Sequence, residues 1–421
     1  RTVHTGLLEY KNVYRPARVI SYDKESGELV LHNYMDFDDL KDYVKISYEL
    51  TQDGLVISKG KLPEVSAAPH SEGKINLKIN VPESGKCYLK FIYHLKKELP
   101  LLDEDHILGF DEIEVSQKDA KCQLAEKWVE KTVTDSELQV SEDDTQIHIK
   151  GREFAYTIDR RTALFTEMKF AGREYLNHPM ELNIWRAPTD NDMYIKSEWK
   201  KAHYDKAYTR AYTTEVVQGK HGVKITSHAS VVAETVQKIL DVTITWKIEA
   251  AGKIDADIAV TKDDEFPDLP RFGVRMFLDK KLSAVRYFGM GPQESYCDKH
   301  QAASHGLYRA DVGDLHEDYI RPQENGSHYD CEYVELNNSR YGIVVSAENA
   351  FSFNASYYTQ EELEKKTHNY ELTESDSVVF CVDYALNGIG SNSCGPVVLD
   401  QYRFDDVLFR FQFTLIPYVK G

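Results

Sequence analysis

Cysteine is scarce in this 421-residue chain. Its six cysteines (Cys87, Cys122, Cys297, Cys331, Cys381, Cys394) lie far apart, and no Cys-x-x-Cys pair occurs. That excludes a zinc ribbon and a dense disulfide framework, and leaves free, mostly buried thiols as the expectation. Long apolar runs are missing too. The longest, near Val407 to Pro417, is short and broken by Arg410, so no membrane span is expected. Positive charge is in deficit: 51 Lys+Arg face 69 Asp+Glu, a formal charge of −18. So acidic a surface repels phosphate backbones and anionic lipids, which argues against nucleic acid and membranes as partners. No His-Glu-x-x-His, phosphate-binding loop, dinucleotide fingerprint or Gly-x-Ser-x-Gly elbow is present. The chain opens Arg1-Thr2-Val3-His4 with neither an initiator Met nor an apolar signal region, as expected of a piece of a longer protein.

What is present is β pattern. Val44, Ile46, Tyr48 and Leu50 alternate with Lys45, Ser47 and Glu49, the period of a half-buried strand. Asp53-Gly54 then turns the chain into Leu55-Val56-Ile57, a hairpin signal. Val19-Ile20-Ser21-Tyr22 and Leu29-Val30-Leu31 flank another turn at Lys24 to Gly27. About seven short strands over residues 1–118 suggest an immunoglobulin-like β-sandwich. The polar stretch Ser116 to Lys121 introduces a linker assigned to 119–127.

Residues 128–421 read as one much larger β domain. Val242, Ile244, Trp246 and Ile248 alternate with polar residues, and Ile254, Ala256, Ile258 and Val260 do so again after a turn at Ala251-Gly252-Lys253. Strands with one apolar face, continuing to Phe409 through Leu415, imply a large antiparallel sandwich of two curved sheets. Helix is sparse. Thr359 with Glu362 has the spacing of a capping box, which predicts a short helix over Gln360 to Lys366, and Lys196 to Lys206 is a second helical candidate.

Four segments carry chemistry-bearing residues in unusual density. The first, Ile184-Trp185-Arg186-Ala187-Pro188-Thr189-Asp190-Asn191-Asp192, packs an aromatic, a cation, a rigid proline and polar turn formers into nine positions. Pro188 fixes its own φ and pushes Ala187 toward extended geometry, Asp190, Asn191 and Asp192 suit Asx turns, and the planar fork of Arg186 suits a buried carboxylate. The others are Gly289-Met290-Gly291-Pro292-Gln293-Glu294-Ser295-Tyr296, Pro322-Gln323-Glu324-Asn325-Gly326 and Gly388-Ile389-Gly390-Ser391-Asn392-Ser393-Cys394-Gly395-Pro396. In this order they resemble the C-terminal domain of the large bacterial β-galactosidases of glycoside hydrolase family 2. Leu8-Glu9-Tyr10-Lys11-Asn12-Val13-Tyr14-Arg15-Pro16 resembles the exit from that family's catalytic barrel.

The resemblance implies an all-β chain, an immunoglobulin-like sandwich followed by a supersandwich similar to galactose mutarotases. It implies a parent enzyme that hydrolyses terminal β-D-galactosides with retention. Asn191, Asp192, Met193, Tyr194 and Cys394 would sit at the substrate-pocket rim, with Arg186, Asp190, Glu294, Glu324 and Asn325 as structural residues. Tyr194 stands where relatives often carry a glycine, and Cys394 where many carry a tryptophan that stacks on the sugar. A retaining pair needs carboxylates about 5–5.5 Å apart. Glu294 and Glu324, both in Pro-Gln-Glu contexts beside glycines, read better as acceptors for backbone N–H groups in tight loops. The family's acid/base glutamate follows an asparagine, and this chain has no Asn-Glu dipeptide and no alternating strand–helix pattern of a barrel. The catalytic glutamates, and with them the ligands for the parent's Mg²⁺ (with Na⁺ as a second candidate ion), are therefore expected on a barrel outside this sequence. No catalytic residue, metal ligand or cofactor is expected on this chain.

The expected partners are the barrel and N-terminal domains, on the same chain or a separate subunit, a galactoside, and further copies in a homo-oligomeric parent. A cytoplasmic setting is expected, with a secreted or periplasmic parent left open. The rival readings are a non-catalytic carbohydrate-binding or structural module, and an independent aldose epimerase. The latter requires a His and a Glu facing each other in one cleft; His328 and His368 are the candidates to reach a pocket, although surface or satisfied core histidines are commoner.

Overall fold

The computed structural model describes residues 3–116 and 138–420. The linker expected at 119–127, the expected start of the second domain and Cys122 lie outside the described residues. Two compact units emerge. One holds the described residues up to 116 together with His300–Leu307; the other holds the rest.

The first unit contains seven described strands in two antiparallel sheets. Ala17–Tyr22, Glu28–Asn33 and Glu72–Asn76 form one. Leu55–Lys61, Val44–Gln52, Cys87–Leu95 and Ile107–Ser116 form the other, in that spatial order. Leu29, Leu31, Leu50, Leu89, Phe91 and Tyr93 make the core between them. The hairpin at Asp53-Gly54 forms as expected: Gln52 pairs with Leu55, and the two turn residues take φ of 48° and 81°. Those are the left-handed angles of a primed turn, whose twist matches the flanking strands. The helix Thr5–Val13 has no counterpart in the sequence reading. Its apolar residues face outward, with Leu7 and Tyr10 exposed, whereas polar Asn12 is buried and bonds both the N–H and the C=O of Phe110. A helix anchored by an amide rather than by an apolar stripe leaves no amphipathic signature to detect.

The second unit is the larger. Residues 139–174 form a five-stranded antiparallel sheet, and a 12-stranded sheet takes up most of the rest. Leu240–Glu249 shows why the chain folds this way. Val242, Ile244, Trp246 and Ile248 are buried, while Asp241 and Lys247 on the other face are exposed. Its neighbours Gly222–Val232 and Ile254–Lys262 pair with it in continuous register. One core joins the inner faces of the two sheets. Trp246 is its joint: the ring meets Phe165 of the smaller sheet edge-on at 4.9 Å, and the indole N–H donates to Ala163 O at 2.8 Å. The all-β architecture expected of the sequence, a sandwich followed by a larger antiparallel two-sheet body, is what is observed.

Helix is as sparse as expected. Thr359 caps Gln360–Lys365, its hydroxyl accepting from the Glu362 N–H at 3.1 Å. The Lys196 to Lys206 candidate is two pieces. The helix Ile195–Lys201 stops, His203 takes φ of 59°, and a 3₁₀ turn covers Tyr204–Lys206. No helix of the described residues is long and apolar enough to cross a membrane.

Trp246→Ala empties the joint between the two sheets. It is expected to cost about 3–5 kcal/mol of stability. Chemical denaturation of the two proteins measures the difference, and a loss below about 1 kcal/mol would show that the sheets do not depend on this contact.

Candidate functional site: a hydrogen-bonded rim

The four segments, spread over more than 200 residues of sequence, meet at one junction of the second unit. At its centre is Arg186, just past the strand Leu176–Asn183 and fully buried. Its Nε and Nη2 donate to the two oxygens of Asp192 at 3.1 and 2.7 Å. Nη1 donates to Asn387 O at 2.5 Å and Nη2 also to Gly388 O at 3.1 Å. Trp199 lies under the guanidinium, 5.3 Å away. Burial opposes the charge, but the Asp192 carboxylate, with Glu324 further off, outweighs it and holds the arginine pKa above its ordinary value.

Asp192 performs a second task. Its Oδ2 accepts from the N–H and the hydroxyl of Thr189, closing Asp190–Asp192 into a 3₁₀ turn with Thr189 as its cap. The expected Asx turns are replaced by this tighter arrangement, because the aspartate three residues on reaches back to the cap. Asn191 ties the turn to the glycine-rich loop. Its Nδ2 donates to Gly390 O at 2.7 Å, and its Oδ1 accepts from the Ser393 hydroxyl at 2.8 Å. That loop is gripped from below by Asp298, which accepts from the N–H groups of Ile389 and Gly390 at 2.9 and 2.7 Å. A Cβ at Gly388 would come within 2.8 Å of Asp298 Oδ2, so this close approach needs the glycine. The Pro322 to Gly326 segment closes the other side. Gln323 Oε1 accepts from the Asp190 N–H, and the Glu324 N–H donates to Ala187 O.

Glu294 and Glu324 are both buried and both engaged. Glu294 accepts from Lys299 at 2.5 Å, from the Tyr319 hydroxyl and from the Gly326 N–H at 2.8 Å. The cap on Gly326 is the kind of bond the sequence led us to expect. Burial pushes its pKa up, but Lys299, Tyr319 and Gly326 together outweigh it and hold the carboxyl below the usual range. Glu324 departs from the expectation. Its partner is a side chain, Arg271 at 3.2 and 3.3 Å, which also forms a fork with Asp383. For Glu324 burial prevails over the pull of Arg271 and Arg186, and its pKa is raised. Asn325 is structural in its contacts. Its Oδ1 accepts from the Glu317 N–H, its Nδ2 donates to Gln323 O and its carbonyl accepts from Asn354.

The junction edges an open cleft of about 480 Å³ lined by Asn191, Asp192, Tyr194, Glu198, Asn392 and Arg403 among others. Tyr194 is 61% exposed and Met193 44%. Asp192 is 2% exposed, with both oxygens already accepting hydrogen bonds. It therefore pins the rim from beneath. Cys394 departs from the expected burial and is exposed on the loop, whereas Cys87, Cys331 and Cys381 are buried. Of the two histidines placed near a pocket, His368 is exposed beside a 3₁₀ turn. His328 is shut into the core between the rings of Tyr287 and Phe353, 4.6 and 5.0 Å away. No His–Glu pair lines this cleft, so the epimerase reading finds no support here. Sequence reasoning missed Asp298, Asn387, Asp268 and Arg403. Asp298 and Asn387 had a signal, the first two residues beyond the Gln-Glu-Ser-Tyr segment and the second directly before Gly388. Among the described residues, no group of three or more His, Cys, Asp or Glu stands close enough to hold a metal ion.

Four segments far apart in sequence thus lock around one cleft of an all-β body, and comparisons with known proteins supply the family. The family model described as beta galactosidase small chain matches residues 150–415, and that described as beta-galactosidase, domain 4, matches residues 29–116. The chain belongs to the beta-galactosidase small chain family. It is 43% identical to a beta-galactosidase of Actinobacillus pleuropneumoniae and 31% identical to one of Staphylococcus xylosus, each over 99% of this chain. It spans only 40% and 41% of those relatives' lengths. A solved galactose 1-epimerase from Lactobacillus acidophilus NCFM aligns with 69% of this chain and all of its own, at 8% identity and a TM-score of 0.38.

Asp192→Asn breaks the buried fork and leaves Arg186 without its counter-charge. A stability loss of about 3–5 kcal/mol is expected, measured by denaturant unfolding, and a loss under about 1 kcal/mol would mean that the pair does not hold the rim. His328 generates a pH dependence. Burial holds its pKa down at about 4 against an ordinary value near 6.5. Because the folded value is depressed, the unfolded chain takes up a proton first. Stability is full above about pH 6.5 and falls by about 3 kcal/mol as the pH drops to 4. His328→Phe is expected to flatten that window in a pH series of unfolding curves; an unchanged slope would assign it to other groups.

Proposed function

We propose that this chain is the C-terminal part of a β-galactosidase that hydrolyses terminal β-D-galactosides with retention, and that it walls one side of the substrate pocket. The observation that carries the reading is the convergence of the four family-like segments on one hydrogen-bonded rim beside the 480 Å³ cleft. Asn191 and Tyr194 line that cleft, while Met193 and Cys394 are exposed without lining it; these four would form the face presented to the sugar, and Arg186, Asp190, Asp192, Glu324 and Asn325 hold it in shape. The nucleophile and acid/base come from a barrel domain beyond this sequence. Glu294 and Glu324 are committed to Lys299 and Arg271 and take no part in the chemistry. The Mg²⁺, and Na⁺ where used, is held by that barrel, in a homo-oligomeric and cytoplasmic enzyme. Cys394 lacks the flat ring that stacks on an aglycone, so selectivity for lactose over other galactosides is weak.

A second reading, a non-catalytic saccharide-binding module, draws on the same cleft with Tyr194 and two amide side chains at its edge. Hydrolysis separates the two. The purified 421-residue chain is expected to give only background turnover of a chromogenic β-galactoside. Supplying the rest of the enzyme as a second polypeptide is expected to restore activity. In that restored enzyme Asn191→Ala is expected to lower kcat/KM by about tenfold, a loss of about 1.4 kcal/mol of transition-state binding. Turnover by the chain alone that survives repeated purification would overturn the assignment of catalysis to the barrel.

A further inference from the structure

The first unit carries an apolar face that the rim does not use. A groove of about 640 Å³ runs past the exit of the helix Thr5–Val13, the loop between Asn33 and Leu40, and Leu108. It holds three tyrosines, Phe37, Met35 and two arginines, and neither lysine nor glutamate. Aromatic, Met and Arg side chains are those that interface cores accumulate, and Lys and Glu are those they shed. Phe37 stands 92% exposed, with Val13, Tyr14 and Tyr34 exposed beside it. Tyr10 extends the face onto the helix, its ring 4.4 Å from that of Tyr14.

A lone aromatic on a surface calls for no explanation. Phe37 is different, because the loop that presents it is tied down from beneath. Asn33, fully buried, donates through Nδ2 to Asp38 O and to Ala67 O, each at 2.9 Å, and its Oδ1 accepts from the Met35 N–H at 2.9 Å. The Tyr34 N–H donates to Pro16 O at 2.9 Å. Both flanks of Phe37 are thus fixed while its ring stands in water. An anchor set in place before contact loses little conformational entropy on binding. The groove's arginines are already engaged. Arg15 donates twice to Asp111, at 3.0 and 2.5 Å, and Arg18 donates to Val13 O with its guanidinium 5.0 Å over the Tyr34 ring. What the groove offers a partner is therefore ring surface.

We propose that this face docks the part of the enzyme that this chain does not contain, with Phe37 as the anchor. Length points to that occupant. The relatives are about two and a half times as long as this chain, which matches them from end to end. An added body of that size meets its neighbour over an interface of its own. An exposed aromatic face with a fixed anchor is where such an interface forms at least cost. A second copy of the chain fits less well. Asp36 and Asp38 flank Phe37 and are exposed, and a two-fold contact would bring these carboxylates together between chains of formal charge −18. The proposal rests on the galactosidase reading for its partner, and not on which residues do the chemistry.

The test is co-expression of the 421-residue chain with the rest of its enzyme as a second polypeptide, followed by measurement of the pair's dissociation constant. The unaltered pair is expected to form. Phe37→Ser and Tyr14→Ser are each expected to weaken it by at least about tenfold, with an unchanged thermal melt of the isolated chain. Leu101→Ser, fully exposed but outside the groove, is expected to leave it within about twofold. Under hydroxyl-radical labelling, Phe37 and Tyr14 are expected to react in the chain alone and to be protected in the pair. A pair that forms while both residues stay labelled, or that loses as much affinity in Leu101→Ser as in Phe37→Ser, overturns the proposal and leaves the galactosidase reading standing. Two soluble polypeptides that never associate overturn both. A dimer of the chain alone that Phe37→Ser abolishes in sedimentation gives the face to a second copy, and also overturns the proposal.

Discussion

One buried cation organises the rim. Arg186 is fully enclosed, and removing a guanidinium from water costs several kcal/mol unless its donors are met. The chain meets them from two directions. Asp192, six residues on, forces the intervening residues into a tight turn after the rigid Pro188. The carbonyls of Asn387 and Gly388, about 200 residues on, bring the glycine-rich loop to the same point. A single desolvation problem thus fixes both lips of the cleft. Asn191 and Asp298 then remove the freedom that the glycines at 388 and 390 would otherwise leave.

Around Arg186 lies a wider polar core with Arg271, Asp383 and Glu324. Ion pairs so deep contribute little net stability compared with apolar packing of the same volume. What they contribute is uniqueness, since a shifted register strands a charge. Glu294 and Glu324 show how far environment outweighs local sequence. Each follows Pro-Gln and precedes a small or polar residue, yet one is held below the ordinary carboxylate range by an ammonium and a phenol, and the other is pushed above it by burial. Chemical role is a property of the completed site, and neither side chain is left free for proton transfer.

The features legible in the sequence were those with local causes. Alternation in Val242 to Ile248 marks one strand face by itself, because the period of two is a property of the strand. The Asp53-Gly54 hairpin and the Thr359 cap were legible for the same reason, being contained within a few residues. The helix Thr5–Val13 was hidden because its anchor is one amide reaching Phe110. At the rim, the arginine–carboxylate pair was foreseeable in kind. The identity of its partner, the grip of Asp298 and the engagement of Glu324 by Arg271 were not, because each joins residues between 6 and 91 positions apart without periodicity. Cys394 and His328 went opposite ways from their residue types: the thiol is exposed and the imidazole buried.

The rim divides into a lock and a face. The lock is buried, polar and shared among distant segments, so altering one member strands the others. Met193, Tyr194 and Cys394 are exposed outside it. Met193 and Tyr194 have ordinary right-handed backbone, φ of −55° and −94°, which any L-residue adopts. Tyr194 therefore adds no backbone strain to the rim. Cys394 is held through its backbone, the N–H donating to Ser391 O at 3.2 Å, so its side chain is not part of the scaffold either. Asn191 belongs to both lock and face, since its amide ties the turn to the glycine-rich loop and also lines the cleft. Side chains can change at Met193, Tyr194 and Cys394 while the Arg186–Asp192 fork keeps the two lips where they are.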